Sequence, residues 1–182
     1  MKILIWGIPC VGKAEIGNLL ADKLNYNFID LNNIIKEKYK TIDNFNDTYK
    51  NDYERFKEKE KIILDIIKNN DNFVMNITLI YIKSIVDEIL KTDTISVELI
   101  DSVESIYDRI VFYDENDVLM PDSKEYRDKH KSHYIKEIKK DQITSYNEYI
   151  NIPKFDINNR KFEDIIDELN EFINKLAIEK SK

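Results

Sequence analysis

A chain of 182 residues, 42% hydrophobic and 35% charged, is long enough to bury one sizeable core. No apolar run approaches the roughly 18 residues of a membrane span. A net charge of −7 argues against a general nucleic-acid binder, and a single cysteine, Cys10, excludes an internal disulfide and a thiolate-rich zinc site. The opening MKILIWGIPC is interrupted too early for a signal peptide, so a cytoplasmic protein is expected.

In chain order, KILIW (2–6) reads as a short buried strand. A helix is expected from Lys13 to about Leu24, with Ile16, Leu19, Leu20 and Leu24 on one face. NFID (27–30) is a second strand, ending on an acid. Helical spacing resumes near Leu31 and again over 52–68, through Phe56, Ile63, Ile66 and Ile67. NFVMNITLI (72–80) is expected to be a strand, YIKSIVDEILK a helix, and TISVELI (94–100) a strand. Asp101 then starts a helix, paired as a cap with Glu104. The polar stretch 114–132 predicts an exposed, mobile insertion, followed by a helix through about Tyr149. KFDI (154–157) is a last strand, and from Lys161 an amphipathic helix runs through Phe162, Ile165, Ile166, Leu169, Phe172, Ile173 and Leu176. Strands and helices in this alternation predict one α/β domain over 1–182: a three-layer fold with a parallel five-stranded sheet between helices.

All three glycines, Gly7, Gly12 and Gly17, fall within WGIPCVGKAEIG (6–17). Gly7, four residues, Gly12 and Lys13 match the phosphate-binding loop G-x-x-x-x-G-K-[ST] up to its last place, and the loop joins a strand to a helix as that motif requires. There, backbone N–H groups and the helix dipole converge on an anion, while the lysine adds a full charge. Gly7, Ile8, Pro9, Cys10, Val11, Gly12, Lys13 and Ala14 are therefore the expected nucleotide-binding residues. Ala14 replaces the hydroxyl residue that ordinarily ligates magnesium. Asp30, at the end of the second strand, can supply that oxygen or can cap the following helix, and the sequence leaves both open. Cys10 is expected to fill space within the loop. Arg109, just before the polar insertion, is expected to act on phosphate, whereas Arg127 beside Glu125 and Asp128 reads as a surface ion pair. His130 and His133 share a helix face without a third metal ligand.

These segments resemble the shikimate kinases, and more broadly the small P-loop kinases of the nucleoside-monophosphate-kinase type. GIPCVGKAEIGNLLADKLNYNFIDLNN follows that family's opening. ERFKEKEKIIL resembles its F-R-x-x-E helix, with Phe56 and Glu60 in place and Lys57 at the arginine. ISVELIDSVESIYDRI resembles its fourth strand and next helix, ending on Arg109. The resemblance implies ATP with Mg2+ as cofactors and transfer of the γ-phosphate to a small hydroxylated metabolite. It assigns Lys13, Asp30 and Arg109 to catalysis, with Asp30 toward the metal. It assigns Asp30, Asn32, Lys57 and Lys140 to the acceptor, residues 31–70 to a substrate-side helical region, and 114–132 to a lid. The expected partners are a nucleotide and a small molecule, with neither nucleic acid nor membrane, in a monomer or weak homodimer.

The departures are specific. The family's Asp-x-Asp is Asp30-Leu31-Asn32, its glycine triplet has no counterpart in VMNITLI, and its arginine after the lid is at best Lys139 or Lys140. The missing hydroxyl and glycines frame a second reading, a nucleotide-binding protein with little or no transferase activity.

Overall fold

The computed structural model describes residues 1–112, 119, 120 and 122–181. Its core strand is β1 (Lys2–Trp6), in which Ile3, Leu4, Ile5 and Trp6 are fully buried. A strand apolar on both faces belongs in the middle of a parallel sheet covered on both sides. With β2 (Asn27–Asp30), β3 (Phe73–Asn76), β4 (Ile95–Ile100) and β5 (Lys154–Asp156), it forms one all-parallel sheet in the order β2-β3-β1-β4-β5. The order reverses direction at β1, with β3 on one side and β4 on the other. Loops leaving the strand ends part there, and open α/β sheets bind ligands in that crevice.

Eight helices flank the sheet among the described residues: α1 (Lys13–Leu24), α2 (Leu31–Tyr39), α3 (Ile42–Thr48), α4 (Asp52–Asn69), α5 (Lys83–Leu90), α6 (Val103–Asp108), α7 (Lys124–Glu148) and α8 (Phe162–Lys180). The helix α1 packs on α8, and α5 packs on α4 and α7. Region 31–70 is thus three helices, α2 to α4.

Four local expectations change. The strand expected over 72–80 stops at Asn76, yet Ile77, Leu79 and Ile80 stay buried. Their backbone is satisfied elsewhere: the Ile77 N–H donates to the Ile5 carbonyl (2.8 Å) and the Ile80 N–H to the Tyr149 hydroxyl (2.9 Å). An apolar run does not distinguish a buried strand from a buried, externally bonded loop. The helix α3 arises from one anchor, fully buried Phe45, and a Thr41 cap. The cap of α6 is Ser102, whose hydroxyl accepts the Ser105 N–H (3.1 Å), because Asp101 is engaged in the site. Finally α7 starts at Lys124 under a Ser123 cap, so 124–132 is helix where the insertion was expected. Residues 114–118 and 121 of the expected lid lie outside the described residues.

Candidate functional site

Between β1 and α1 the chain turns through three left-handed residues: Gly7 (φ 141°), Cys10 (φ 60°) and Gly12 (φ 109°). A Cβ on Gly7 would meet the Leu99 carbonyl oxygen at 2.8 Å, and one on Gly12 would overlap the Phe162 ring. Both glycines are fixed by backbone angle and close approach together. Ile8 and Val11 anchor the loop in the core, while Pro9 and Cys10 stand exposed at its crest. Cys10 is therefore not the space-filling residue the sequence suggested. Gly12 is the N-cap of α1 and carries no side chain, so no side-chain cap claims the first-turn N–H groups. They remain donors for an anion.

Lys13 folds back over the loop and donates to the carbonyls of Gly7 (2.9 Å) and Ile8 (2.8 Å). Removal from water pushes its ammonium down to about 8, against the opposing pull of Cys10, Asp30 and Asp141.

A cleft of about 820 Å³ opens above the loop, lined by Cys10, Gly12, Lys13, Ala14, Asp30 and Arg109 among others. Gly7, Ile8 and Val11 lie beneath it and supply backbone. Arg109 is held from three directions. Its guanidinium pairs with Asp101, donates to the Val11 carbonyl (3.3 Å) and lies 5.1 Å from the centre of the Phe162 ring. The Asp101 side chain is only 1% exposed, and its other oxygen accepts the N–H groups of Ser102 (2.7 Å) and Asn159 (3.1 Å). Arg109 is thus a fixed wall of the cleft. Arg127 is a structural residue, paired with Asp122 and donating to the Tyr107 and Ile110 carbonyls. Its partner is Asp122 where the sequence suggested Glu125 and Asp128.

Asp30 caps α2: its Oδ1 accepts from the N–H groups of Asn32 (2.8 Å) and Asn33 (3.3 Å). Its Oδ2 takes the Asn76 amide (2.9 Å), the residue opposite it in the β2–β3 register. The capping role is therefore realised, and the same carboxylate still faces the cleft. Asn32 lines the cleft beside it.

Two expected acceptor residues are not brought there. Lys57 pairs with buried Glu60 and lines a separate groove along α4 with Tyr53 and Leu64. Lys140 is 73% exposed on α7 and lies 3.8 Å from Glu137. Helical spacing explains both, because each residue of offset turns a side chain by about 100°, so Lys59, two on from Lys57, and Asp141, one on from Lys140, point elsewhere. The residues turned inward are their neighbours. Lys59 lies over Phe56 (5.4 Å) and Phe45 (6.0 Å), with its ammonium pushed down to about 8 by burial and by Arg55, against the pull of Asp52. Asp141 accepts the Tyr81 hydroxyl (3.0 Å) and acts electrostatically on Lys13. The far wall, Asn159 to Glu163, was also missed from sequence. Its one signal is the pair Asn158-Asn159, since asparagine tolerates the left-handed φ of 52° and 54° found there.

A parallel sheet with a glycine loop and lysine at the switch point defines a P-loop α/β protein whose cleft is built for phosphate. A model of the shikimate kinase family matches residues 9–174, and the chain belongs to that family. It is 35% identical over 75 residues to the shikimate kinase of Alkaliphilus oremlandii, covering 41% of this chain and 43% of that protein. It is 30% identical over 115 residues to that of Flavobacterium psychrophilum, covering 60% of this chain and 64% of that one. The matched stretches thus span from under half to just under two thirds of these relatives. The crystal structure of shikimate kinase from Bacteroides thetaiotaomicron superposes with a TM-score of 0.76 at 16% identity, covering 96% of this chain and 98% of that one. The Acinetobacter baumannii enzyme in complex with shikimate gives 0.72 at 18%, covering 96% and 93%. At these identities the structural likeness speaks for the fold. No described helix is long and apolar enough to cross a membrane.

Proposed function

We propose that the chain is an ATP-dependent kinase that phosphorylates a hydroxyl of a small metabolite, with shikimate the first acceptor to test. The observation that carries this is the loop itself. Lys13, the uncapped N-terminus of α1 and Arg109 converge on one cleft, and a transferable phosphate with spread negative charge needs positioning and neutralisation of that kind. Family membership supplies shikimate as the leading acceptor.

The nucleotide's outer phosphates lie over the loop N–H groups, and Lys13 exchanges its two carbonyl contacts for phosphate oxygens. Arg109, pinned by Asp101, keeps a fixed positive charge at the cleft wall without having to be ordered on binding. Magnesium commonly reaches such sites with the nucleotide, on one or two carboxylates and water. The residues fit that mode. Ala14 offers no oxygen, and no described group of three or more acidic, His or Cys residues forms a cage. Asp30 Oδ2 accepts one hydrogen bond and retains a lone pair toward the cleft. The ion would screen charge between the phosphates, and Asp30 would hold it.

A coupled assay for ADP release, run with Mg-ATP against shikimate and a panel of other hydroxy acids and polyols, tests the reading. Acceptor-dependent ADP formation is expected. ADP release that no acceptor stimulates overturns it.

A further inference from the structure

Among the described residues three carboxylates line the loop cleft: Asp30, Glu15 and Glu163. Asp30 is committed, since it caps α2 and holds Asn76. Glu15 and Glu163 are exposed, and neither takes a hydrogen bond or an ion pair from a described residue. About one turn further along α8 the pattern differs, with Asp167 paired to Lys23 and Glu168 to Arg160.

The two free carboxylates stand on adjoining first turns. Glu15 is the third residue of α1 and Glu163 the second of α8. The helices pack together, and their starts come so close that a Cβ on Gly12 would overlap the Phe162 ring. Asp30 ends β2 and Glu163 follows β5, so they approach the cleft from opposite edges of the sheet. An unpaired carboxylate beside an anion site opposes phosphate binding through its charge. What it can accept is a neutral donor. The hydroxyl donors of a nucleotide are those of its ribose, and the ribose is joined directly to the α-phosphate. Phosphates seated on the loop therefore bring the sugar beside the turn that carries both Lys13 and Glu15. With Asp30 at the reacting end, the β5 edge is left for the nucleoside.

We propose that the Glu15 and Glu163 carboxylates accept the 2′- and 3′-hydroxyls of the nucleotide's ribose and make the cleft selective for ribonucleotides. The inference rests on the nucleotide site of the kinase reading. A carboxylate on a ribose hydroxyl is a recurrent device in nucleotide sites, and an analogue without the hydroxyl leaves that acceptor without its donor. A first-turn acid also favours its own helix dipole, so the test has to read the ligand and not the fold.

Calorimetry with Mg-ATP, Mg-2′-deoxy-ATP and Mg-3′-deoxy-ATP on wild type, Glu15→Ala and Glu163→Ala supplies that reading. Wild type should bind each deoxy analogue about tenfold more weakly than ATP, the size of one hydrogen bond to a charged group in an open cleft. Each variant should bring ATP and one of the analogues to within about twofold of each other and keep the other ratio. An acid that served only its helix would move all three affinities together or none of them. Wild-type ratios within about twofold for both analogues, or variants that both keep the wild-type ratios, overturn the assignment while the kinase reading stands. A single variant that keeps both ratios removes its residue from the assignment. Wild-type protein that binds none of the three nucleotides overturns the nucleotide site itself, and this inference with it.

Discussion

The phosphate loop and the region of α4 and α7 are built by different means. The nucleotide side, residues 7–14, works through backbone: glycine angles, free N–H groups and two loop carbonyls that hold Lys13. The region of α4, the segment after β3, and α7, outside the cleft lining, works through side chains: Lys59 over Phe45 and Phe56, Tyr81 bonded to Asp141. Backbone chemistry survives replacement of most side chains, so the first side keeps its form even with Ala14 and Cys10 in the loop. Side-chain chemistry changes with every substitution, and the second region depends on it.

The contrast is broken most severely at Gly7. Gly7→Ala forces a Cβ to within 2.8 Å of the Leu99 carbonyl oxygen at φ 141°, and should cost about 3 kcal/mol of stability. Urea denaturation followed by fluorescence of Trp6, the chain's one tryptophan, measures it. Lys13→Ala should keep the fold and weaken ATP by roughly 1.5–3 kcal/mol, the loss of one charge-assisted contact, read by calorimetry. Equal affinities would show that the loop does not hold phosphate through its lysine.

A pH titration sharpens the same point without mutation. Free Lys13 titrates near 8, and bound phosphate favours its charged form, so binding above that pH must first draw a proton onto the amine. ATP affinity should be level below pH 8 and fall about tenfold per unit above it, and Lys13→Ala should abolish the slope. Ala14→Ser restores a hydroxyl at the first helical turn. Its propensity cost is well under about 1 kcal/mol, so it should tighten Mg-ATP and raise magnesium-dependent turnover severalfold. A variant unchanged in both would mean that the metal is held elsewhere. The smallest effect is expected for Lys140→Ala, which should shift stability by less than about 0.5 kcal/mol and leave the acceptor KM unchanged. A large rise in KM would return Lys140 to the acceptor site.

These sides also differ in how far they could be read. The strand β1, the loop, Lys13 and the span of α1 follow directly from residue type and spacing, because a phosphate loop is a local motif whose parts lie within eight residues. The boundaries of β2 and α4 and the start of α2 were equally readable, since apolar periodicity reports which face meets the core. Asp30 was placed correctly at a strand end, but only its bonds to Asn32, Asn33 and Asn76 decide that it caps a helix. For the acceptor, spacing put Lys57 and Lys140 forward, and the fold leaves both outside the loop cleft.

By itself, then, the sequence determined the α/β alternation and the nucleotide loop, for which neighbouring residues carry all the information. Tertiary structure decided that Arg109 is clamped by Asp101, which the Asn159 N–H holds in turn, and that residues 159–163 close the cleft. Those pairings join groups 8 and 58 positions apart. Helix rotation and sheet order set which of them meet, and no local pattern in the chain encodes either.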